Sequence, residues 1–371
     1  MNPEVFVSYS GVISHARVVT PERIHEDTTL RCERGSIVSI GGPIDTDAFD
    51  AGGRLLVPGF LDLHCHGGGG GSFTTGDRSS AEQAATFHRL HGTTTLVAST
   101  VSSSPATLLR ACKTLGALAN EGLLAGIHLE GPYLSAHRCG AQNPAHLRPP
   151  SVEELQHLVE VSGHNVVQVT LAPELDGAMN AIRWLVKEGI IVAIGHSDAN
   201  AETVEQAIDA GASLATHLCN AMTPLHHRDP TAALALLDDE RVVIEVINDG
   251  VHLLPATVRL IAARAGRKRL AFITDAISAA GQGDGTYELG DLSVCIVGGV
   301  ARLKTSDSHD GAIAGSTLTM DVAFQRALTL GLDPVDVARA TATVAAELLG
   351  LGDRGTIEVG KRADFVLLPE Q

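Results

Sequence analysis

Cysteines, aromatic residues and lysines are all scarce in this chain of 371 residues. The six cysteines are scattered without a Cys-x-x-Cys pair, which predicts reduced thiols rather than a disulfide scaffold. No apolar run is long enough to span a bilayer, and the first residues lack the basic and apolar regions of a signal peptide. We therefore expect a cytoplasmic protein without a membrane partner.

The charge of the chain is strongly unbalanced. Its 43 acidic residues outnumber the 27 basic ones, so the formal net charge is −16. A chain of this charge repels nucleic acid and anionic membranes, and we expect neither as a partner. An anionic substrate would need the few cations gathered at its binding site. The 44% of hydrophobic residues and the 39 glycines suit a large α/β core with many short loops.

Apolar segments of strand length alternate with helical segments from residue 55 onward. Strands are predicted at 55–63, 93–100, 123–129, 166–171, 190–195, 214–218, 242–247 and 270–274. Helices are predicted at 80–91, 105–120, 151–162, 176–188, 200–210 and 255–265. Eight continuous apolar strands with intervening helices favour an α/β fold, a (β/α)8 TIM-like barrel. A doubly wound open sheet is the rival fold, but the glycine run at 67–71 lacks the GxGxxG spacing of a nucleotide loop.

The two chain ends differ from the barrel pattern. Short strands are predicted at 5–9, 11–19 and 36–40, and a strand, a turn and a strand over 355–368. We expect residues 1–57 and 349–371 to form one small β-sandwich domain and residues 58–348 to form the barrel. A β-hairpin insertion is predicted near 287–303 with its turn at Gly298 and Gly299, followed by helices at 316–330 and 334–349.

The first predicted barrel strand ends in His64-Cys65-His66. Because side chains alternate between the two faces of a strand, both imidazoles point the same way and Cys65 points away. Two neighbouring imidazoles are suited to bind a metal ion. A chance pair among 17 histidines is the alternative, so the interpretation depends on whether other ligands stand at matching positions.

Residues of ligand type also stand at the ends of four other predicted strands. Glu130 follows strand three, His196 follows strand five, and His217 follows strand six. Asp275 follows strand eight. The carboxyl ends of barrel strands meet on one rim, so these side chains are expected to converge with the histidine pair. Each could be a loop residue or, for Asp275, a helix cap, but together they predict a metal site. His128 lies one layer below Glu130 and is expected to support the site.

The expected ligands are nitrogens and carboxylate oxygens without a thiolate. Such a set suits Zn²⁺ or a similar divalent ion, and it is large enough for one or two ions. A bound metal lowers the pKa of water toward neutrality, and Asp275 is then positioned to take the proton and deliver it to a leaving group. The expected reaction class is metal-assisted hydrolysis.

This arrangement resembles the amidohydrolase superfamily. The residues that carry the resemblance are the segment 58–66, His196, His217, Asp275 and the closing segment 355–368. Many members bridge their metals with a carboxylated lysine on strand four. Here Lys113 and Lys187 both lie in predicted helices, so Glu130 on strand three must serve instead.

A glutamate in the sequence His-Leu-Glu-Gly-Pro is similar to the N-acetylglucosamine-6-phosphate deacetylase family. Further matches are the segments 140–144, 216–222, 249–252 and 314–318. The resemblance implies hydrolysis of N-acetylglucosamine 6-phosphate to glucosamine 6-phosphate and acetate, in amino-sugar catabolism or cell-wall recycling. It covers the chain from about residue 58 to the C-terminus.

The resemblance also implies a role for individual residues. The implied metal ligands are Glu130, His196 and His217, with His64 and His66 favouring a second ion. The implied substrate-binding residues are Ala141, Gln142, Asn220, Ala221, Arg228, His252, Ile313, Ala314 and Gly315. Arg228 would reach the phosphate bound by a neighbouring subunit, which makes a homodimer the expected assembly. Other members have a histidine in place of Gln142, whose amide can hydrogen-bond a substrate but supplies no charge.

Two other functions stay open. Another amidohydrolase, such as a cyclic-amide hydrolase or an N-acyl-amino-acid deacylase, is disfavoured by the missing carboxylated lysine and by the Asn220, Arg228 and His252 set. A non-catalytic protein on the same fold would be expected to have lost metal ligands, whereas all six candidates are present.

Overall fold

A computed structural model describes residues 3–304 and 311–369 of the chain. Its strands are β1 Glu4–Phe6, β2 Gly11–Val19, β3 Ile24–Glu33, β4 Ser36–Ile40, β5 Phe49–Asp50, β6 Leu55–Pro58, β7 Phe60–Cys65, β8 Gly67–Gly68, β9 Gly71–Ser72, β10 Thr93–Thr100, β11 Gly126–Glu130, β12 Val166–Leu171, β13 Ile191–Ile194, β14 Leu214–Ala215, β15 Val243–Ile247, β16 Leu270–Ile273, β17 Gly285–Leu289, β18 Leu292–Val297, β19 Val300–Leu303 and β20 Phe365–Leu367. Its α-helices are α1 Arg78–Leu90, α2 Pro105–Asn120, α3 Val152–Val161, α4 Ala178–Lys187, α5 Ala201–Asp209, α6 Ala232–Asp238, α7 Pro255–Arg269, α8 Met320–Thr329, α9 Pro334–Ala338 and α10 Val344–Leu348. Short 3₁₀ helices cover Ala136–Arg138 and Pro144–His146, and a π-helical turn covers Arg339–Thr343.

Within these described ranges, no helix is both long and apolar enough to cross a membrane.

Eight strands form one parallel sheet in the order β7, β10, β11, β12, β13, β14, β15 and β16. A parallel bridge between Cys65 and Ala276 joins the ends of its first and last strands, and the His66 N–H donates to the Ala276 carbonyl at 2.8 Å. The sheet therefore closes on itself, with helices between successive strands. The predicted α/β fold, a (β/α)8 TIM-like barrel, is confirmed, and the expected β-sandwich of the two chain ends consists of one seven-stranded sheet.

Burial explains the sequence of the barrel strands and helices. Every residue of β7, β11 and β16 is buried, as expected for strands covered on both faces. Helix α2 begins where the Ser104 hydroxyl accepts the Thr107 N–H at 3.2 Å, and Pro105 occupies its first position. Its buried face carries Leu108 and Leu115. Side-chain caps and apolar faces of this kind stabilise the helices. The residues at the strand ends are therefore free to be polar.

The β domain is one sheet in the order β1, β20, β6, β2, β3 and β4, with β5 paired to β2. β1 and β20 pair in antiparallel fashion, with Glu4 opposite Leu367, so the two chain ends meet in this sheet. Ile13, Leu30 and Phe365 lie fully buried in its core. The chain divides into two compact units, the first from the described parts of Met1–Asp62, Thr86–Thr95 and Thr319–Gln371, the second from those of Leu63–Ala85 and Leu96–Leu318. The domain limits at residues 57 and 348 stay a prediction.

The structure corrects four details of the predicted elements. The long strand β3 was not predicted, because its first half is mostly polar and none of its first five residues is buried. Helix α6 was missed because its sequence is almost wholly apolar and shows no helical alternation. The expected hairpin near 287–303 is a three-stranded sheet of β17, β18 and β19, with an additional turn at Gly290, whose φ is 58°. Within residues 355–368, all of which the structure describes, the only strand is β20, and the preceding segment contributes turns, bends and one isolated bridge between Arg362 and Ser36.

Candidate active site

The predicted ligands converge at the carboxyl ends of the barrel strands. His64 lies on β7 and His66 directly follows it, while Glu130 is the last residue of β11. The other three follow their strands by two residues: His196 after β13, His217 after β14 and Asp275 after β16. All six side chains are buried, with at most 6% of any residue exposed. Their placement follows from the shared direction of parallel strands.

Glu130 lies at the centre of the cluster. Its Oε1 atom lies 3.0 Å from His217 Nε2, 3.2 Å from His196 Nε2 and 3.4 Å from His64 Nε2. Its Oε2 atom lies 3.3 Å from His66 Nε2. One carboxylate therefore contacts four imidazoles that come from three different strands.

His66 and Asp275 close the other side of the cluster. Asp275 Oδ1 lies 3.1 Å from His66 Nε2 and 3.5 Å from His64 Nε2, and the two histidine Nε2 atoms are 3.1 Å apart. The cluster contains two groups whose ligand atoms lie within 4.8 Å of one another. These groups are Glu130, His196 and His217, and His64, His66 and Asp275.

The ring protons of three of these histidines are held on the far side of the ring. The hydrogen bonds are His64 Nδ1 to Glu245 Oε2 at 3.2 Å, His66 Nδ1 to the Ser99 carbonyl at 3.3 Å, and His196 Nδ1 to the Arg138 carbonyl at 2.9 Å. Because these oxygens only accept, each Nδ1 donates its proton to them, so the lone pair of Nε2 faces the carboxylates whenever the ring is neutral. At this range either a proton on Nε2 or a bound cation must lie between each nitrogen and the carboxylate oxygens. The donor set therefore fits a divalent metal ion.

The charges of the cluster favour a cation for the same reason. Burial alone would lower the pKa of His64, but the carboxylates of Glu130 and Asp275 raise it well above the usual value. Despite burial, hydrogen bonds to the same two carboxylates raise the pKa of His66 to about 9. Burial works against ionisation of Glu130 and Asp275, yet the neighbouring His64 lowers the pKa of both carboxyl groups. Both carboxylates are thus ionised near neutral pH, and the site attracts positive charge.

The backbone is strained at three of the six residues. The φ angles are 48° at His196, 29° at His217 and 50° at Asp275, a region that costs a non-glycine residue about 1–3 kcal/mol. At Asp275 hydrogen bonds hold this conformation, since its N–H donates to the His64 carbonyl at 2.8 Å and its carbonyl accepts the Ser316 N–H at 2.7 Å. Strain of this kind clusters at functional sites, because it turns a side chain away from the path of its strand.

The profile of the amidohydrolase family matches residues 55–370. The chain belongs to the amidohydrolase family. Among its relatives, the N-acetylgalactosamine-6-phosphate deacetylase of Escherichia coli O157:H7 is 35% identical over 96% of this chain and 94% of the relative. The N-acetylglucosamine-6-phosphate deacetylase of Bacillus subtilis (strain 168) is 37% identical over 85% of this chain and 80% of the relative.

A solved structure extends this similarity over the whole fold. It is a mutant N-acetyl-D-glucosamine-6-phosphate deacetylase from Mycobacterium smegmatis in complex with N-acetyl-D-glucosamine-6-phosphate, and it covers 97% of this chain and 96% of its own chain. The TM-score is 0.92 at 40% sequence identity. The resemblance to N-acetylglucosamine-6-phosphate deacetylases that the motifs indicated is confirmed.

The amidohydrolase site opens into a cavity of about 210 Å³. Of the residues predicted to bind substrate, those that line it are Ala141, Gln142, Asn220, Ala221, His252, Ile313 and Gly315. Ala314 is fully buried in an apolar cluster with Ile277 and Val294 and does not line the cavity. Arg228 is exposed and does not line it either. Within a single chain, the structure therefore brings together most but not all of the predicted substrate contacts.

Apart from the predicted metal ligands, His252 is the cavity residue best suited to carry a positive charge. Its Nδ1 lies 2.7 Å from Asp249 Oδ2, and Asp249 also accepts the backbone N–H groups of Val251 and His252. Burial alone would lower the pKa of His252, but the hydrogen bond to Asp249 raises it above the usual value. The protonated ring therefore persists to a higher pH than that of a free histidine, which suits an anionic ligand.

Gln142 is bonded at both ends of its amide within the protein. Its Oε1 accepts the Ser102 N–H at 2.7 Å, and its Nε2 donates to Glu130 Oε2 at 2.5 Å. It therefore borders the cavity and also orients the carboxylate of Glu130. His128 has a comparable supporting position, with Nδ1 2.9 Å from Ser99 Oγ and Nε2 2.7 Å from Thr170 Oγ1.

Glu245 is a site residue that the sequence interpretation missed. It lies fully buried on β15 and contacts His64 from below the cluster. A single carboxylate inside the apolar run Val243–Ile247 was the available signal, because an ionised side chain is rarely buried unless it is paired.

Proposed function

We propose that this chain hydrolyses the N-acetyl group of N-acetylglucosamine 6-phosphate and releases glucosamine 6-phosphate and acetate. The observation that carries the proposal is the convergence of His196, His217 and His64 Nε2 on one oxygen of Glu130. The similarity to deacetylases of amino-sugar 6-phosphates over most of the chain supports this substrate class. The cytoplasm is the proposed location, and amino-sugar catabolism or cell-wall recycling the proposed pathway.

A divalent metal ion, Zn²⁺ in our proposal, would be held by Glu130, His196 and His217. When bound, it would acidify a water molecule and polarise the amide carbonyl. The His64, His66 and Asp275 group supports a second ion, since its ligand atoms also lie within 4.8 Å of one another. Neither group contains a thiolate ligand. This favours Zn²⁺ over softer metal ions that prefer sulfur ligands.

Asp275 would move the proton in this reaction. Its pKa lies below the usual value although the side chain is buried, so the carboxylate is free to accept a proton from the attacking water. The oxygen of that water forms a bond to the acetyl carbon. Asp275 then delivers the proton to the amide nitrogen, the C–N bond breaks, and acetate and the free amine leave.

The remaining cavity residues would bind the sugar phosphate and the acetyl group. His252 supplies an imidazole ring whose pKa is raised by Asp249, and Asn220 and Ala221 line the same cavity from the loop after β14. Ile247 and Leu289 give the cavity an apolar wall suited to a methyl group. Ala141, Gln142, Ile313 and Gly315 remain the proposed sugar contacts.

A panel of substrates tests this proposal. We expect zinc-loaded enzyme to hydrolyse N-acetylglucosamine 6-phosphate with a higher kcat/KM than N-acetylglucosamine, an N-acetylated amino acid or a hydantoin. The reason is that only the phosphorylated sugar offers a phosphate to His252, whereas N-acetylglucosamine and the hydantoin lack this anion and the amino acid has only a carboxylate close to its amide. Faster turnover of the amino acid or the hydantoin would overturn the proposal.

N-acetylgalactosamine 6-phosphate is a second candidate substrate. A deacetylase named for this epimer is 35% identical over 96% of the chain. The same panel distinguishes the two, since the substrate with the higher kcat/KM identifies the preferred configuration at the sugar C4.

We also propose a homodimer in which Arg228 acts across the interface. Arg228 is exposed at a loop that continues into the apolar surface of Leu225, Leu234 and Leu260. Leu234 and Leu260 are 44% and 56% exposed, and contiguous exposed apolar surface of this kind marks interaction sites. Burial of this surface against a second copy would bring Arg228 to the neighbouring subunit.

Replacement of Arg228 tests this arrangement. We expect Arg228→Ala to raise KM for the phosphorylated sugar about 10- to 100-fold, since a hydrogen bond to a charged group contributes about 1.5–3 kcal/mol. KM for the unphosphorylated sugar should stay unchanged. Arg241→Ala is the matched control, because Arg241 is an exposed arginine paired with Asp209 and Asp239. Equal effects on both sugars would remove Arg228 from the phosphate site.

A further inference from the structure

Glu245 connects three strands beneath the histidine cluster. Its Oε2 atom accepts the His64 Nδ1 proton at 3.2 Å and the His217 backbone N–H at 3.3 Å. Its Oε1 atom accepts the Gln168 amide at 3.2 Å. The side chain is fully buried, and within residues 3–304 and 311–369 its only ion pair is with His64. A buried carboxylate is stable only when it is bonded in this way.

The position of Glu245 decides which nitrogen of His64 carries the proton. A carboxylate oxygen can only accept, so the proton of the neutral ring must lie on Nδ1. The Nε2 lone pair then faces Glu130 Oε1 at 3.4 Å and Asp275 Oδ1 at 3.5 Å. The opposite tautomer would place an N–H where a metal ligand is needed.

We infer that Glu245 is a positioning residue that fixes the His64 proton on Nδ1 and so prepares Nε2 to bind a metal ion. This inference rests on the proposed metal-dependent function. The contact with the His217 N–H means that one carboxylate supports a member of each ligand group. Partners of this kind typically change metal affinity 10- to 100-fold when they are lost.

Two conservative substitutions separate the hydrogen bond from the charge. Glu245→Gln removes the charge but keeps an acceptor. The His217 N–H beside it favours the amide oxygen at the Oε2 position, and the Gln168 amide can turn because its Oε1 has no hydrogen-bond partner in the described structure. Glu245→Asp keeps the charge but withdraws the oxygens from His64 by one methylene.

The test measures zinc binding itself on the full-length chain. Zn²⁺ affinity is obtained by competition with a chromophoric chelator, ions per chain by elemental analysis, and folding by circular dichroism. For the ion at the His64, His66 and Asp275 group, we expect Glu245→Asp to weaken Zn²⁺ binding about 10- to 100-fold and Glu245→Gln to retain most of the affinity. Asp364→Asn is the matched control, because it removes a buried carboxylate of the first unit and should leave binding unchanged.

The outcomes distinguish this inference from the proposed function. Wild-type affinity in Glu245→Asp, or a loss in Glu245→Gln as large as in Glu245→Asp, would overturn the positioning role while wild-type hydrolysis remains intact. A wild-type chain that binds no zinc would overturn the proposed function and the inference with it. Zn²⁺ affinity that is retained in Glu245→Gln and lost in Glu245→Asp would support the inference. A merely structural role of Glu245 does not predict that the aspartate variant binds zinc more weakly than the glutamine variant.

Discussion

Asp275→Asn is expected to lower kcat for N-acetylglucosamine 6-phosphate by about 10²- to 10⁴-fold, the range in which general acid–base groups contribute. Asparagine has nearly the same shape as aspartate but cannot take a proton from water. The backbone of residue 275 is held by hydrogen bonds to His64 and Ser316, so the side chain should keep its place. KM should change little, since Asp275 is not a proposed phosphate contact.

Metal content makes this result specific. The ligands Glu130, His196 and His217 are untouched in the variant, so we expect at least one ion per chain by elemental analysis. Asp284→Asn is the matched control, since Asp284 is an exposed carboxylate that accepts the Gly298 and Gly299 N–H groups away from the cavity. Turnover of Asp275→Asn at the wild-type rate would remove Asp275 from the proton transfer.

Glu130→Gln is expected to abolish hydrolysis and the binding of the ion held by the Glu130, His196 and His217 group. Glu130 is the carboxylate that contacts both His196 and His217, and an amide would leave two neutral imidazoles to hold the ion. The loss of affinity should exceed 10- to 100-fold, which is the typical change when a residue that hydrogen-bonds a metal ligand is replaced. Zinc affinity and acetate release are measured on the same preparation.

The control for this change is Glu153→Gln, which replaces an exposed glutamate in the first turn of α3. It should bind zinc and turn over substrate as the wild type does. A Glu130→Gln protein that is folded and retains wild-type zinc affinity would contradict the assignment of Glu130 as the central ligand.

The strand-end residues could be predicted because their geometry is local. His64 and His66 share a face through the period of a strand, and parallel strands of a barrel direct their carboxyl ends to one rim. That rule brings Glu130 and Asp275 to the same place without any knowledge of their contacts. The structure adds the distances and the direction of each lone pair.

Other residues could not be predicted because their roles depend on contacts between distant segments. Glu245 is one carboxylate in an apolar strand, and only the folded chain brings it under His64, 181 positions earlier. Gln142 was expected to face the substrate, whereas its amide also bonds Ser102 and Glu130. Helix α6 was missed because a wholly apolar segment gives no periodic signal.

Metal-dependent release of acetate tests the central claim most directly. The wild-type chain is stripped with a chelator, titrated with Zn²⁺, and assayed for acetate and glucosamine 6-phosphate formed from N-acetylglucosamine 6-phosphate. We predict no turnover without metal and activity that rises with zinc occupancy until the Glu130, His196 and His217 group is filled. Equal turnover by metal-free and zinc-loaded protein, or no acetate release by the zinc-loaded protein, would contradict the claim.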